Sequence, residues 1–280
     1  MSGTAQSSFS IPDDDELIAA ALQEASIPTL MMSMIHMSGD VSILDGTIRP
    51  AGVYINEYQG YMSEEDKASV RTRALETIKA FRNSGCKLPS APSQDTIHRM
   101  MNFIVAGEVP EDYVPMMLEE MELDGTDQRR DVWGDDVPLE TRSKHKVLVI
   151  GGGMSGVLAA YRLQEAGIPF VVIEKNSAVG GTWFENRYPG ARVDVGNHLY
   201  SYSFEPAHHW TQYFSQQKEL QQYFEDVVYH HHLEQHFRLS TEVTGAVFDE
   251  VTKEWTVNTV DKDGVEEQYV ANSVIVQSDS

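Results

Sequence analysis

The spacing of apolar positions divides the chain into two parts. Over residues 1–122 apolar side chains recur at helical intervals. Leu17, Ala20, Ala21 and Ala25 predict a short helix, which ends before Pro28 because a residue preceding proline is pushed out of the helical region. Val70, Ala74, Ile78 and Phe81 form a second stripe, with Ser63 placed to cap it, Asp66 three residues on, and Gly85 to stop it. Ser93 caps a third helix, with Ile97, Met101 and Ile104 on one face and Gly107 at its end. A fourth runs from Glu111 to Met121 behind Pro110, with Pro115 weakening it. Residues 123–142 are polar, carry Gly125, Gly134 and Pro138, and read as a linker.

From residue 143 the period changes. Residues 146–150 are a β-branched, nearly continuous apolar run, as in a strand buried on both faces. A glycine cluster follows, then a helical pattern over 154–165 closed by Gly167, then a second buried strand over 170–174. That is a βαβ unit. Residues 215–229 read as a helix whose apolar face is Leu220, Tyr223, Phe224 and Val227. Strands are expected at 237–240, 243–249, 255–260, 268–270 and 273–276, with Asp261, Asp263 and Gly264 forming a hairpin turn. The expected fold class is α/β: an all-α N-terminal domain over 1–122, a linker over 123–142, and a Rossmann-like dinucleotide-binding domain over 143–280.

Charge narrows the partners. The formal net charge is −22, from 21 Lys and Arg against 43 Asp and Glu. Such acidity disfavours nucleic acid, which needs a basic stripe, and a polybasic hold on an anionic membrane. Residues 1–15 are Ser-rich and then acidic, with no basic segment followed by an apolar one, and no apolar run approaches the roughly 20 residues of a membrane helix. The lone cysteine, Cys86, excludes an internal disulfide framework and reads as structural. Together these lead us to expect a cytoplasmic protein without nucleic-acid or membrane partners. The methionines of the helical half (Met31, Met32, Met34, Met37, Met116, Met117 and Met121) read as gap-filling core. The helices themselves are candidates for a homo-oligomeric contact. His230, His231, His232 and His236 are too closely successive to converge on one ion, so no metal site is expected.

The chemistry concentrates in the glycine cluster. Gly151, Gly153 and Gly156 satisfy G-x-G-x-x-G between a buried strand and a helix. Gly151 allows the tight turn, Gly153 lets the backbone approach a pyrophosphate, and Gly156 permits close packing of helix on strand. Met154 and Ser155 open that helix, whose unpaired N–H groups and partial positive charge attract phosphate. This lets an acidic chain hold an anionic ligand without a basic patch. Glu174, at the end of the second strand, is placed to accept hydrogen bonds from ribose hydroxyls, and its charge would repel a 2′-phosphate. Lys175 follows it as a further candidate contact.

A second glycine pair, Gly180-Gly181, lies six residues beyond Glu174 and is surplus to a plain NAD site. Gly180-Gly181-Thr182-Trp183 after a βαβ unit resembles the flavin-dependent class B monooxygenases. The run Asn186-Arg187-Tyr188-Pro189-Gly190-Ala191-Arg192-Val193-Asp194 resembles the N-R-Y-P-G-x-R-x-D stretch of the Baeyer–Villiger monooxygenases, and Asn197-His198-Leu199-Tyr200-Ser201-Tyr202-Ser203-Phe204 extends the likeness. The helical extension and Val193-Asp194 resemble the 4-hydroxyacetophenone monooxygenase branch. The resemblance implies FAD on Gly151, Gly153, Met154, Ser155, Gly156, Glu174 and Lys175. It implies Gly181, Thr182, Trp183, Arg192 and Tyr200 on the flavin side, Tyr202 lining the same pocket, and Val243 at the adenine. It gives Asp194 a catalytic part, orienting and charge-balancing an arginine. It also implies NADPH as reductant, held outside this sequence, and a ketone and O₂ as substrates, giving an ester or lactone.

Neither a second G-x-G-x-x-G nor F-x-G-x-x-x-H-x-x-x-W occurs in the sequence. The tail Gln277-Ser278-Asp279-Ser280 lacks the glycine expected after the last strand, so the expectation is a truncated FAD-binding domain. Two other readings stay open: an inactive FAD-binding fragment, and a relative of the N-hydroxylating or flavin-containing monooxygenases.

Overall fold

The computed structural model describes residues 11–52, 57–121, 123, 132–134, 137–197 and 199–276. The expectations for the first ten residues, Gly125, His198 and the tail after Val276 lie outside them. The chain divides into two compact units, residues 1–128 and 129–280.

The first unit is helical. α1 (Asp15–Glu24) is capped by the Asp14 side chain, which accepts from the N–H groups of Glu16 and Leu17. Its buried positions are Ile18 and Leu22, whereas Leu17 is 55% exposed. The expected face is therefore one position off, because the alanines around Leu17 gave no anchor strong enough to set it. α2 (Ile27–Ser38) was not expected. Pro28 lies in its first turn, where a missing N–H costs nothing, so the same proline that ends one helix starts the next. Gly39 closes α2 in the left-handed conformation. A 3₁₀ turn (Val41–Asp45) follows.

α3 (Glu64–Asn83) starts at Ser63, whose hydroxyl accepts from Asp66 N–H, and buries Val70 and Ala74. α4 (Gln94–Val105) is capped by Ser93 and buries Ile97, Met100 and Phe103, while Met101 and Ile104 flank that face half-buried. α5 (Tyr113–Met121) accommodates Pro115 in its first turn, where proline needs no partner. Of the methionines expected as core, Met31 and Met34 are buried among Ile27, Ile35, Ile43, Ala74 and Ile97, and Met32, Met117 and Met121 pack half-buried against them, whereas Met116 is 46% exposed and is no part of that core.

The second unit is α/β and Rossmann-like. A helical turn, α6 (Leu139–Arg142), stands in the segment expected as a linker. β1 (Val147–Ile150), α7 (Met154–Ala166) and β2 (Phe170–Ile173) form the expected βαβ unit, and Gly167 ends α7 in the left-handed region. After α8 (Thr182–Glu185) and α9 (Gln217–His230) come β3 (Phe237–Arg238), β4 (Thr241–Asp249), β5 (Glu254–Asp261), β6 (Glu266–Ala271) and β7 (Ser273–Val276). The first expected strand of this series stops at Arg238, since Ser240 turns into the left-handed region before β4.

β1, β2, β3 and β7 form a parallel sheet in the order β3-β2-β1-β7, and β4-β5-β6 form an antiparallel meander. In register, Val147 pairs with Phe170 and with Ser273, and Ile150 with Ile173 and Val276. Alternation sorts the two faces of the parallel sheet. Val147, Val149 and Val172 pack with Val157 and Ala160 of α7 and with Leu220, Phe224 and Val227 of α9. Leu148 and Ile173 point the other way, onto Val257 and Ala271 of the meander. The parallel sheet is thus a middle layer, and the ends of β1 and β2 open at one edge. Among the described residues no helix is long and apolar enough to cross a membrane.

Candidate functional site

β1 delivers its C-terminal end into the loop Gly151–Gly153, which runs straight into α7. Gly151 sits at φ +104°, a backbone region that side chains with a Cβ rarely adopt. Gly153 precedes the helix in an extended conformation. Val157 N–H makes the first turn's bond to Gly153 C=O at 3.0 Å, so the amides of Met154, Ser155 and Gly156 stand ahead of the helix's internal ladder. A Cβ on Gly156 would lie 2.0 Å from the carbonyl oxygen of Gly151, so helix and loop touch backbone to backbone there. A Cβ on Gly153 would meet nothing closer than Gly181 Cα at 3.5 Å. The loop is sealed at Gly156 and lies at van der Waals distance from the Gly181 backbone at Gly153, so that phosphate can approach only through the unpaired amides at the head of α7.

The second glycine pair braces the first. Gly180 N–H donates to Gly152 C=O at 2.9 Å, and Gly180 and Gly181 take φ of +120° and +51°. Gln221 of α9 lies against Gly180, and its amide donates to Val179 C=O at 2.6 Å.

Beside the loops lies a cleft of about 400 Å³ lined by Ile150, Gly151, Ile173, Glu174, Lys175, Asn176, Gly181, Glu185, Thr241, Glu242 and Val243. Glu174 is buried at 4% exposure. Its carboxylate accepts from Gly152 N–H at 2.5 Å and Asn176 N–H at 2.7 Å. A carboxylate offers about four lone-pair sites, so about two remain for hydroxyls in the cleft. Lys175 pairs with Glu185 at 3.0 Å, which raises the ammonium's pKa. The Asn176 amide donates to the same Glu185 carboxylate at 3.1 Å and, with Lys175, lowers its pKa.

The structure therefore gathers Gly151, Glu174, Lys175, Gly181 and Val243 around one cleft. Asn176, Glu185, Thr241 and Glu242 join them. Only Glu185 carried a signal, one helical turn of charge after the Gly-Gly-Thr-Trp run. Thr241 and Glu242 arrive through the break between β3 and β4, which no sequence pattern marks.

The aromatic residues form a separate cluster behind the loop. Trp183 Nε1 donates to the Tyr200 hydroxyl at 3.0 Å, and the two rings meet edge to face. The Tyr202 hydroxyl donates to Met154 C=O, anchoring the start of α7. Tyr202 N–H donates to the Tyr223 hydroxyl, which donates on to Glu205 C=O. Burial pushes both phenols up in pKa, so they stay neutral donors. Arg192 and Asp194 are exposed. Arg192 donates weakly to Gln212 at 3.4 Å, and among the described residues no arginine pairs with Asp194.

Cys86, expected as structural, is exposed at φ +57°. The histidines at the end of α9, expected as a solvated helix end, have a defined partner. His230 Nδ1 and His231 Nε2 lie 3.2 and 3.1 Å from the two carboxylate oxygens of Glu205, and His231 packs edge-on against Tyr161 and Phe204. Hydrogen bonding by His231, then His230, holds the Glu205 carboxyl below its ordinary range. A depressed carboxyl stabilises the fold at neutral pH, and that contribution disappears as the pH falls through the acidic range. We expect the melting-temperature difference between the parent and Glu205→Gln to shrink as the pH falls from about 5 to about 3, through the carboxylate range. A difference independent of pH would refute the coupling. Among the described residues no three His, Cys, Asp or Glu side chains are arranged to hold a metal ion.

Comparison with known proteins gives three kinds of relative. Residues 149–217 match the NAD(P)-binding Rossmann-like domain family. An uncharacterized monooxygenase, y4iD, of Sinorhizobium fredii is 32% identical over 259 residues, 92% of this chain and 38% of that protein. A Baeyer–Villiger monooxygenase of Streptomyces coelicolor is 43% identical over 116 residues, 41% of this chain and 22% of that protein. The FAD-binding monooxygenase stcW of Emericella nidulans is 41% identical over 114 residues, 40% of this chain and 19% of that protein. The chain thus spans between about a fifth and two-fifths of these relatives' lengths.

Proposed function

We propose that this chain, which is similar to named Baeyer–Villiger and FAD-binding monooxygenases, belongs with them and supplies the FAD-holding portion of an enzyme that oxidises a ketone to an ester or lactone. The observation that carries the reading is the loop itself: sealed at Gly156, with the unpaired amides of α7 at its end and a buried carboxylate with acceptor capacity to spare beside it. FAD would supply the oxygen-activating redox chemistry, with NADPH as reductant and O₂ and a small ketone as substrates.

The chain's own residues bind and orient. The amides at the start of α7 face the pyrophosphate, Glu174 accepts from the adenosine ribose, and Lys175 and Val243 border the adenine side. Gly181, Thr182 and Trp183 approach the flavin side, with Tyr200 fixing the Trp183 indole. Arg192 and Asp194 are free at the surface to meet groups that complete the catalytic centre, Asp194 by charge-balancing an arginine. The helical unit together with Val193-Asp194 supports placement near the 4-hydroxyacetophenone monooxygenases, and the same unit is our candidate for a subunit contact.

Reconstitution tests this reading. The purified chain is expected to take up FAD and show the flavin's visible absorbance bands. Gly153→Val adds a side chain in a conformation valine readily adopts, with its Cβ at ordinary contact distance from the Gly181 backbone. It is therefore expected to change stability by no more than about 1 kcal/mol while abolishing flavin uptake. Uptake of FAD by Gly153→Val to the parent's level would sink the pyrophosphate assignment.

A further inference from the structure

The helical unit holds a cleft that the flavin chemistry does not use. It measures about 440 Å³ and is lined by Leu44, Arg49, Pro50, Arg99, Asn102 and Phe103, with Asp45 beside them. Leu44, Pro50 and Phe103 are buried, so part of the lining is apolar. The Arg49 guanidinium lies over the Phe103 ring, 5.1 Å from its centroid, and donates to Leu44 C=O at 2.7 Å. These contacts fix a planar cation and leave most of its five donors unused. Among the described residues no carboxylate lies within ion-pair distance of Arg49.

Arg99 differs, because Asp45 balances its charge at 2.8 Å. Asn102 has its side-chain oxygen engaged by Val109 N–H at 2.7 Å, which leaves its NH₂ group as a donor. The C-terminal end of α4 brings partial negative charge to this region. Its carbonyls at Asn102 and Phe103 already accept from Gly107 and Ala106 at 3.2 and 3.3 Å, and a full guanidinium outweighs what remains. In a chain of net charge −22, an uncompensated arginine stacked on a buried ring at a cleft wall is a locally selective place for an anion.

We propose that this cleft binds a small organic carboxylate, aryl or short acyl. Its charge pairs with the exposed Arg49 guanidinium in the bidentate manner that guanidinium favours, and its apolar body rests against the small edges that Leu44 and Phe103, 5% and 6% exposed, leave in the cleft. The assignment stands independently of the FAD reading, since it uses only residues of the helical unit.

Isothermal titration calorimetry on the full chain tests it, with phenylacetate and hexanoate as probes, phenylacetamide as the neutral isostere and inorganic phosphate as the anion without a body. At least one carboxylate is expected to bind saturably, with phenylacetamide and phosphate each at least about tenfold weaker, as loss of a charge-assisted pair or of apolar burial implies. Arg49→Gln removes the charge, and its shorter side chain gives up the bond to Leu44 C=O as well. It is expected to weaken carboxylate binding at least about tenfold, with a fall in the unfolding midpoint no larger than the loss of one hydrogen bond accounts for. Should that variant be unstable, Arg49→Lys keeps the charge without the planar fork and is expected to bind at an intermediate level. The proposal fails if neither carboxylate binds, if phosphate binds as well as they do, or if both Arg49 variants bind like the parent.

Discussion

Gly156→Ala is expected to be among the most damaging single substitutions in the second unit. On propensity alone, alanine in a helix should gain up to about 1 kcal/mol over glycine. Sterics reverse the sign. The added Cβ would lie 2.0 Å from the Gly151 carbonyl oxygen and 3.0 Å from its carbonyl carbon. Those are backbone atoms in a loop tied on both sides: Gly151 N–H donates to Ile173 C=O at 2.9 Å, and Gly152 C=O accepts from Gly180 at 2.9 Å. Neither α7 nor the loop can move without loosening Val157 and Ala160, both fully buried against the parallel sheet. We expect a loss of about 3 kcal/mol, the upper end of the usual range for overpacking, because the site cannot relax. For a unit of this size that is roughly a 6–12 °C fall in melting temperature. Flavin uptake is expected to fall with it. A thermal melt that leaves Gly156→Ala at or above the parent would show that the helix does not pack on the loop as described.

Gly153→Val is the counterpart. Two glycines of one motif, three residues apart, are expected to fail differently, one through the fold and the other through the ligand. That contrast separates a loop that merely turns from a loop that also receives a phosphate.

The βαβ unit was legible because its signals agree. A β-branched run, glycines at fixed offsets, a helical stripe ended by Gly167 and a second run with Glu174 at its end each point to the same element. The sheet's middle position was legible too, since continuous apolar strands need cover on both faces. What the sequence hid were features set by tertiary contact. The inward face of α1 was decided by Ile18 and Leu22 meeting the core, not by the alanines around Leu17. Pro28 could be read as an end or a beginning, and only packing of Ile27 and Leu30 makes it a beginning. The glutamate clamp on His230 and His231 joins residues 25 and 26 positions apart, beyond any local pattern. At the candidate site, Glu174 was found by position, whereas its grip on Gly152 was not, because a ribose acceptor and a loop brace look identical in sequence.

That double use of Glu174 gives the second large effect. Glu174→Ala removes the acceptor for two N–H groups, Gly152 at 2.5 Å and Asn176 at 2.7 Å, around a side chain only 4% exposed. A buried donor left unpaired costs about 1–3 kcal/mol, so the expected loss for the two is about 2–6 kcal/mol, read as a fall in the urea midpoint. Glu174→Gln keeps one oxygen for one of the donors and turns an NH₂ group toward the other, so it is expected to lose roughly half as much. If the same carboxylate also receives the adenosine ribose, the two variants should part company in their ligand behaviour. Both are expected to lose flavin affinity by about tenfold or more, the glutamine variant doing so from a fold that is largely retained. An alanine variant with an unaltered urea midpoint would remove the brace. A glutamine variant that retains flavin as firmly as the parent would remove the ribose contact and leave Glu174 as a structural residue of the glycine loop.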